Sequence, residues 1–485
     1  ELVTGGEEHS AKNAADEVFG SGSSSFGFDA SKIGDTAFQD RAGEIVDLTD
    51  MERYQELREK FKNKNISDGD LQPFDFIVFL LQDFYFSEGS DLHVKGSGKI
   101  KYRIDGEMRT KWEDIATNEI ETIANCLCIM ASTTPSEMTR QGVQSVIPLK
   151  VKVDGRIKTS EMRFQSVNSM GAPSIILRSQ QAPITDMNQI GYQPYQTEAI
   201  NKGLAVGENI ILITGATGSG KTNSQFSMLH ELSEDGTKCI YEAGDPIEIR
   251  TKRWEQLMIR TPDSASAKAI STLYRRTFAN LLRADPDIIA FSEIRDADIA
   301  ALALRAANSG HLVLSTLHAG TVEKALTTLI NFEMRRDLIA EGVGLICAQK
   351  LVKKLCPVCR VVDEDNSRLS RNKIFMASDD GCEVCGWKGT WKRTAVAEVL
   401  LMDTGIRRKL VSGASPAEVI KYATESKRFV PIRQVALEKV NSGEVSKRDV
   451  DFLLNELAVD ESRVESDELE FVDGEEIIEG EYEGE

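Results

Sequence analysis

The most specific chemistry in the sequence sits in Gly215-Ala216-Thr217-Gly218-Ser219-Gly220-Lys221-Thr222. The run Ile210-Ile211-Leu212-Ile213-Thr214 before it is apolar and β-branched, which predicts a buried parallel strand. A helical pattern through Gln225, Met228 and Leu229 follows. In a strand–loop–helix context, glycines let backbone N–H groups and the helix N-terminus close around phosphate oxygens. Lys221 would reach the β- and γ-phosphates of ATP, and the Thr222 hydroxyl would ligate Mg²⁺.

Hydrolysis needs a carboxylate beside the metal and the attacking water. Ile288 to Phe291 reads as a buried strand, and Glu293 emerges at its C-terminal end, where ligands bind in open α/β sheets. The alternative for Glu293 is a helix-cap partner near Asp296. Asp245 and Glu248 follow a second apolar strand, and His311 and His318 bracket a fourth. A histidine can donate to a γ-phosphate in either charge state, so both are candidate sensors. Spacing alone leaves sensor and structural roles open for them.

Cys356-x₂-Cys359 and Cys382-x₂-Cys385 supply a second kind of chemistry. Two such pairs can close a tetrahedral Zn–S₄ site, which saturates the metal and makes it structural. Buried thiols or disulfides are the alternatives. Cys126, Cys128, Cys239 and Cys347 lack this pairing and are expected in the core. A cytoplasmic location is expected, because the cysteine spacing suits a metal better than a secreted disulfide framework.

The elements that must position these groups follow from composition and period. Length suggests about three domains. Residues 1–45 are rich in Gly, Ser and Asp and predict disorder, followed by a charged helix over 50–64. A small α+β domain is expected at 71–182: a helix over 75–87, a hairpin turning at Asp105-Gly106, a helix over 118–132, then alternating segments at 145–153, 161–167 and 174–178. Residues 183–196 have linker composition. From 197, strands expected at 209–214, 238–242, 287–292 and 312–316 alternate with helices, the pattern of a parallel sheet covered on both faces. A zinc module is expected at 356–398, helices from 403 to 457, and an acidic disordered tail at 458–485. The formal charge is −19, but residues 460–485 alone carry −12, leaving −7 elsewhere. That balance disfavours a nucleic-acid-coating role. No apolar run approaches the ~18 residues that would span a bilayer.

Four segments together, Gly215–Thr222, Asp245-Pro-Ile-Glu248, Asp285-Pro-Asp through Glu293-Ile-Arg-Asp296, and Gly310-His311 through His318, resemble the ATPases of type II secretion and type IV pilus assembly. In that family they are the Walker A, Asp-box, Walker B and His-box segments. Ser90-Asp-Leu-His93 with Arg103-Ile-Asp-Gly, and Gln349-Lys-Leu-Val-Lys-Lys-Leu-Cys356, extend the resemblance over about three-quarters of the chain. It implies an α/β, RecA-like P-loop core with a PAS-like N-terminal domain, a tetracysteine zinc insert and a helical C-terminal region. It also implies a homohexamer, in which Arg163 and Arg178 of one subunit approach a neighbour's γ-phosphate. Solvated strand charges are the other reading of those two arginines. The implied partner is a polytopic inner-membrane platform protein, reached peripherally from the cytoplasmic side. The tetracysteine insert tilts the resemblance toward assembly rather than pilus retraction, and the short region before Ser90 toward a type IVb or conjugative branch. A DNA translocase on the same core is a rival that the acidic balance disfavours. One departure is Gly244 where the family has Glu before the Asp box, leaving Asp245 and Glu248 to act.

Overall fold

The computed structural model describes residues 45–62, 73–153, 156–169, 172–179, 184–245, 247–259, 266–291, 293–368 and 372–455. The leader and the acidic tail, both read from composition, lie outside the described residues. The described residues fall into two compact units, those within 1–182 together with 380–388, and those within 183–379 together with 389–485.

The first unit is α+β. Its elements are β1 (Val46–Asp47), α1 (Met51–Lys62), α2 (Pro73–Phe86), β2 (Asp91–Lys95), β3 (Lys99–Ile104), β4 (Glu107–Trp112), α3 (Thr117–Met130), α4 (Pro135–Gln141), β5 (Gln144–Val153), β6 (Arg156–Val167) and β7 (Ser174–Ser179). They build one seven-stranded sheet in the order β1-β5-β6-β7-β2-β3-β4. Strict alternation along β3 buries Ile100, Tyr102 and Ile104 and turns the lysines and Arg103 outward. Asp105 and Gly106 both take positive φ, 51° and 88°, the geometry of a two-residue hairpin turn. Helix α2 is apolar on nearly every face and is buried accordingly. Its polar residues Gln82 and Asp83 are buried with partners. Asp83 accepts from Tyr54 and Tyr102 at 3.0 Å each, and Gln82 Nε2 donates to the Asp47 and Asp50 carbonyls at 2.9 and 3.1 Å.

The second unit contains α5 (Pro194–Val206), β8 (Ile210–Thr214), α6 (Lys221–Leu232), β9 (Ile240–Gly244), β10 (Glu255–Met258), α7 (Ala267–Leu281), β11 (Ile288–Phe291), α8 (Ala297–Asn308), β12 (Leu312–Leu317), α9 (Val322–Asn331), α10 (Arg336–Gly342), β13 (Val343–Leu355), β14 (Val361–Val362), α11 (Glu364–Arg368), β15 (Phe375–Met376) and β16 (Thr390–Leu401). Helices α12 (Thr404–Val411), α13 (Pro416–Glu425) and α14 (Ile432–Asn441) follow, and a further helical stretch covers residues 447–455. The sheet runs β10-β9-β11-β12-β8-β13-β16, parallel up to β13 and antiparallel only at β16. Strands β8, β11 and β12 are buried along their whole length, as continuous apolar runs require in a sheet covered on both faces.

Several expectations change, among them that of Cys239, which is exposed rather than in the core. Residues 183–196 are not a plain linker, because Met187, Ile190 and Tyr192 are buried with Ile211, Ile213 and Leu345 in the core of the second unit. Strands β10 and β13 add two parallel strands to the four expected, and apolar-run counting revealed neither. Residues 390–398 belong to β16 of the main sheet rather than to a zinc module.

Candidate active site

Strand β8 ends at Thr214, and the chain turns at once through Gly215, Gly218 and Gly220, with φ of 150°, 80° and 87°. A Cβ on Gly215 would lie 2.4 Å from the Gln349 carbonyl oxygen, and one on Gly220 3.2 Å from Gln349 Nε2. Nothing lies within 4 Å of a Cβ on Gly218, so there only the backbone angle demands glycine. Gly220 is the N-cap of α6, which places the first N–H groups of that helix against the loop.

Lys221 and Thr222 open α6. Lys221 Nζ donates to the Gly215 and Ala216 carbonyls at 2.6 and 3.1 Å. Burial pushes its ammonium below lysine's usual value, against the pull of Glu293 and Glu248. Thr222 Oγ1 donates to Glu248 Oε2 at 2.5 Å, so a hydroxyl and a carboxylate already face one another where a divalent cation would sit.

Parallel strands deliver the remaining groups to the same edge. Glu293 lies two residues beyond β11; its Oε1 is 2.9 Å from His318 Nε2, and its Oε2 accepts from Arg295 Nε at 2.7 Å. His318 lies one residue past β12, and Thr214 Oγ1 donates to the Ala319 carbonyl at 2.5 Å, tying that turn to the end of β8. Burial would lower the Arg295 pKa, but the hydrogen bond to Glu293 and the charges of Glu293 and Asp245 hold the guanidinium above its usual value. Asp245 follows β9 on the same edge, close enough to act on Arg295. Further from the loop, burial raises the Glu242 carboxyl, which accepts from Trp254 Nε1 at 2.8 Å and Gln256 Nε2 at 2.6 Å.

His311 does not join them. It precedes β12, whose first residues pair with the start of β8 through Val313 and Ile210, so it occupies the edge opposite the loop. Its Nδ1 sits 3.0 Å from the Ala306 carbonyl and 3.2 Å from Ser309 Oγ at the end of α8. Of the two candidate sensors, only His318 lies on the loop's edge. Arg163 and Arg178 lie in the first unit, directly opposite each other on β6 and β7 and hence on one face. Arg178 Nε donates to Asp91 Oδ1 at 2.8 Å, and Arg103 Nε lies 3.4 Å from Asp91 Oδ2.

The sequence reading gave no role to Arg295, Gln225 or Gln349. Arg295 was visible within Glu293-Ile-Arg-Asp, with no signal that it would turn back to the carboxylate. Gln225 Nε2 donates to the Phe291 and Leu314 carbonyls at 3.3 and 3.1 Å, joining α6 to the end of β11 and the middle of β12.

The four cysteine thiols of Cys356, Cys359, Cys382 and Cys385 lie within 4.8 Å of one another. Cys382 and Cys385 Sγ are 3.8 Å apart. A regular Zn–S₄ tetrahedron with arms of ~2.3 Å has edges of about 3.8 Å, so the donors fit the metal in number, type and spacing. No helix of the described residues is long and apolar enough to cross a membrane.

A family model described as "Type II/IV secretion system protein" matches residues 69–458. The type IV pilus assembly ATPase PilB of Acinetobacter baylyi is 29% identical over 406 residues, covering 79% of this chain and 66% of the relative. The type II secretion system ATPase E of Vibrio cholerae is 27% identical over 379 residues, 74% of this chain and 71% of the relative. The chain spans 66% of the length of the Acinetobacter relatives, just under two thirds. Among solved structures, the ATPase DotB of Legionella pneumophila has a TM-score of 0.60 at 21% identity, covering 81% of this chain and 98% of that one. The pilus retraction motor PilT with bound ADP has a TM-score of 0.53 at 20% identity, covering 77% and 95%. The fold is that of these α/β ATPases.

Proposed function

The chain belongs to the type II/IV secretion system protein family, and from that premise we propose that it is a hexameric motor that hydrolyses ATP to drive pilin or pseudopilin assembly, or protein export. The observation that carries the reading is the convergence of the glycine loop, Lys221, Thr222, Glu248, Glu293 and His318 on one edge of a parallel sheet. A bound triphosphate would exchange the carbonyl acceptors of Lys221 for β- and γ-phosphate oxygens. Thr222 and Glu248 would hold Mg²⁺, whose charge would neutralise those phosphates. Glu293 orients and polarises the attacking water, and Arg295 and His318 fix its two carboxylate oxygens. Asp245 supports the same network through Arg295. His318, touching Glu293, is placed to register loss of the γ-phosphate and pass it to β12.

Arg163 and Arg178 complete the pocket from a neighbouring subunit in this reading, which makes the ring the working unit. Zinc on the four cysteines is structural. The motor acts peripherally at the cytoplasmic face of the inner membrane through a polytopic platform protein. The names of the relatives support assembly and secretion. Glu293→Gln decides the central point: steady-state ATP hydrolysis should fall about 10²–10⁴-fold with ATP binding retained. Unchanged hydrolysis would remove Glu293 from the mechanism. DNA-stimulated hydrolysis by the parent protein would favour a translocase instead.

A further inference from the structure

Beneath the phosphate loop lies a polar cluster that none of the chemistry above uses. Gln349 and Ser224 are fully buried, and Tyr192 is 9% exposed. Gln349 Nε2 donates to the Ser219 carbonyl at 2.8 Å. Gln349 Oε1 accepts from the Tyr192 hydroxyl at 2.6 Å and the Ser224 hydroxyl at 2.9 Å. Cys347 Sγ lies 3.6 Å from the Tyr192 hydroxyl on its other side. Ala348 pairs with Thr214 at the end of β8, so Gln349 stands directly under the start of the loop.

Which way the amide faces is set by chemistry. The Ser219 carbonyl can only accept, so the NH₂ group must turn toward it. The amide oxygen then faces two hydroxyls, both able to donate. The carbonyl of residue 219 and the N–H of residue 220 belong to one planar trans peptide and point in opposite directions. Drawing the Ser219 carbonyl down toward β13 therefore turns the Gly220 N–H up, to the side of the loop away from the strand. That N–H immediately precedes Lys221, where a phosphate oxygen would be bound.

We propose that Gln349 is a positioning residue for ATP: it holds the 219–220 peptide so that the Gly220 N–H faces the phosphates, and Tyr192 and Ser224 keep its amide in that orientation. The inference rests on the loop being a nucleotide site, and deepens that reading by assigning what keeps the loop in its binding shape.

The test uses the full chain with Mg·ATP and a fluorescent ATP analogue. Gln349→Met keeps length and bulk while removing the amide. Its ATP Kd should weaken about tenfold, with KM rising in step. A folded Gln349→Met protein whose Kd stays within twofold of the parent overturns the proposal, even if its nucleotide-free unfolding midpoint falls, since that pattern belongs to a purely structural role. Should Gln349→Met fail to fold, Tyr192→Phe with Ser224→Ala leaves the amide but removes its donors. That variant should weaken ATP about threefold, and an unchanged Kd overturns the proposal equally. Lys221→Ala separates the two levels. If the parent fails to bind ATP, or Lys221→Ala binds as the parent does, the nucleotide reading itself falls; if only the Gln349 series is silent, the positioning role alone falls.

Discussion

His311 and His318 flank a single strand, and the structure sends them to opposite edges of the sheet. His318→Ala should lower ATP turnover about tenfold, a change of about 1.4 kcal/mol in the barrier. His311→Ala should leave turnover near the parent value, because its ring only caps the end of α8; a parallel loss in both would show that the strand end does not decide the role. The distinction was open to sequence reasoning. In a parallel sheet whose phosphate loop follows a strand, a residue before a strand faces away from the ligand edge and one after it faces toward it. Glu293 was legible for that reason, since its place after an apolar run is a local property. Its clasp by Arg295 was not, because it depends on how the chain turns after Phe291. Asp91 offers a test in the first unit. Burial would raise its carboxyl, but Arg178, Ser90 and Arg103 more than reverse this and hold it below the usual carboxylate range. The folded state thus binds this proton less readily than the unfolded chain. Its stabilising contribution is complete above the unfolded value of about 3.9 and fades as pH falls toward the folded one. The difference in denaturant midpoint between parent and Asp91→Asn should therefore shrink from pH 6 to pH 3; a constant difference would show that the ion pairs are not its source.

At the scale of elements, continuous apolar strands and the Asp105-Gly106 turn were readable because their causes lie within a few residues. Strand β13 was not, because Lys350, Lys353 and Lys354 interrupt its apolar pattern as it passes the end of β8. Residues 183–196 misled in the opposite sense. Their proline and glycine suggest a linker, yet Gly191 brings Tyr192 into the core, where a Cβ would lie 2.0 Å from Thr394 Oγ1. The cysteine pairs carried their own signal, since ligand spacing is written in the sequence. Purified protein should contain about one zinc per chain by elemental analysis, and Cys382→Ser should lose it and lower the unfolding midpoint. Protein that is metal-free as purified, with an unchanged midpoint in the variant, would make these free thiols.

For the whole molecule, the order of motifs identified the family, because it records several long segments in sequence at once. What that order cannot express is the company a subunit keeps. If the ring is the working unit, Lys221→Ala subunits mixed with parent subunits should depress hydrolysis more steeply than their mole fraction, as measured across a titration of the two. A strictly proportional fall would mean that each chain works alone. Strand β13 adds a reciprocity of its own. The strand carries Gln349, whose amide holds the phosphate loop, and ends at Leu355, one residue before Cys356, whose backbone N–H is fastened to the Gly389 carbonyl at 2.9 Å. If one strand couples the two ligands, they share a free energy, and linkage requires that it run both ways. ATP should then tighten the zinc Kd measured in competition with a chelator at equilibrium, and stripping the zinc should weaken the ATP Kd, by the same factor.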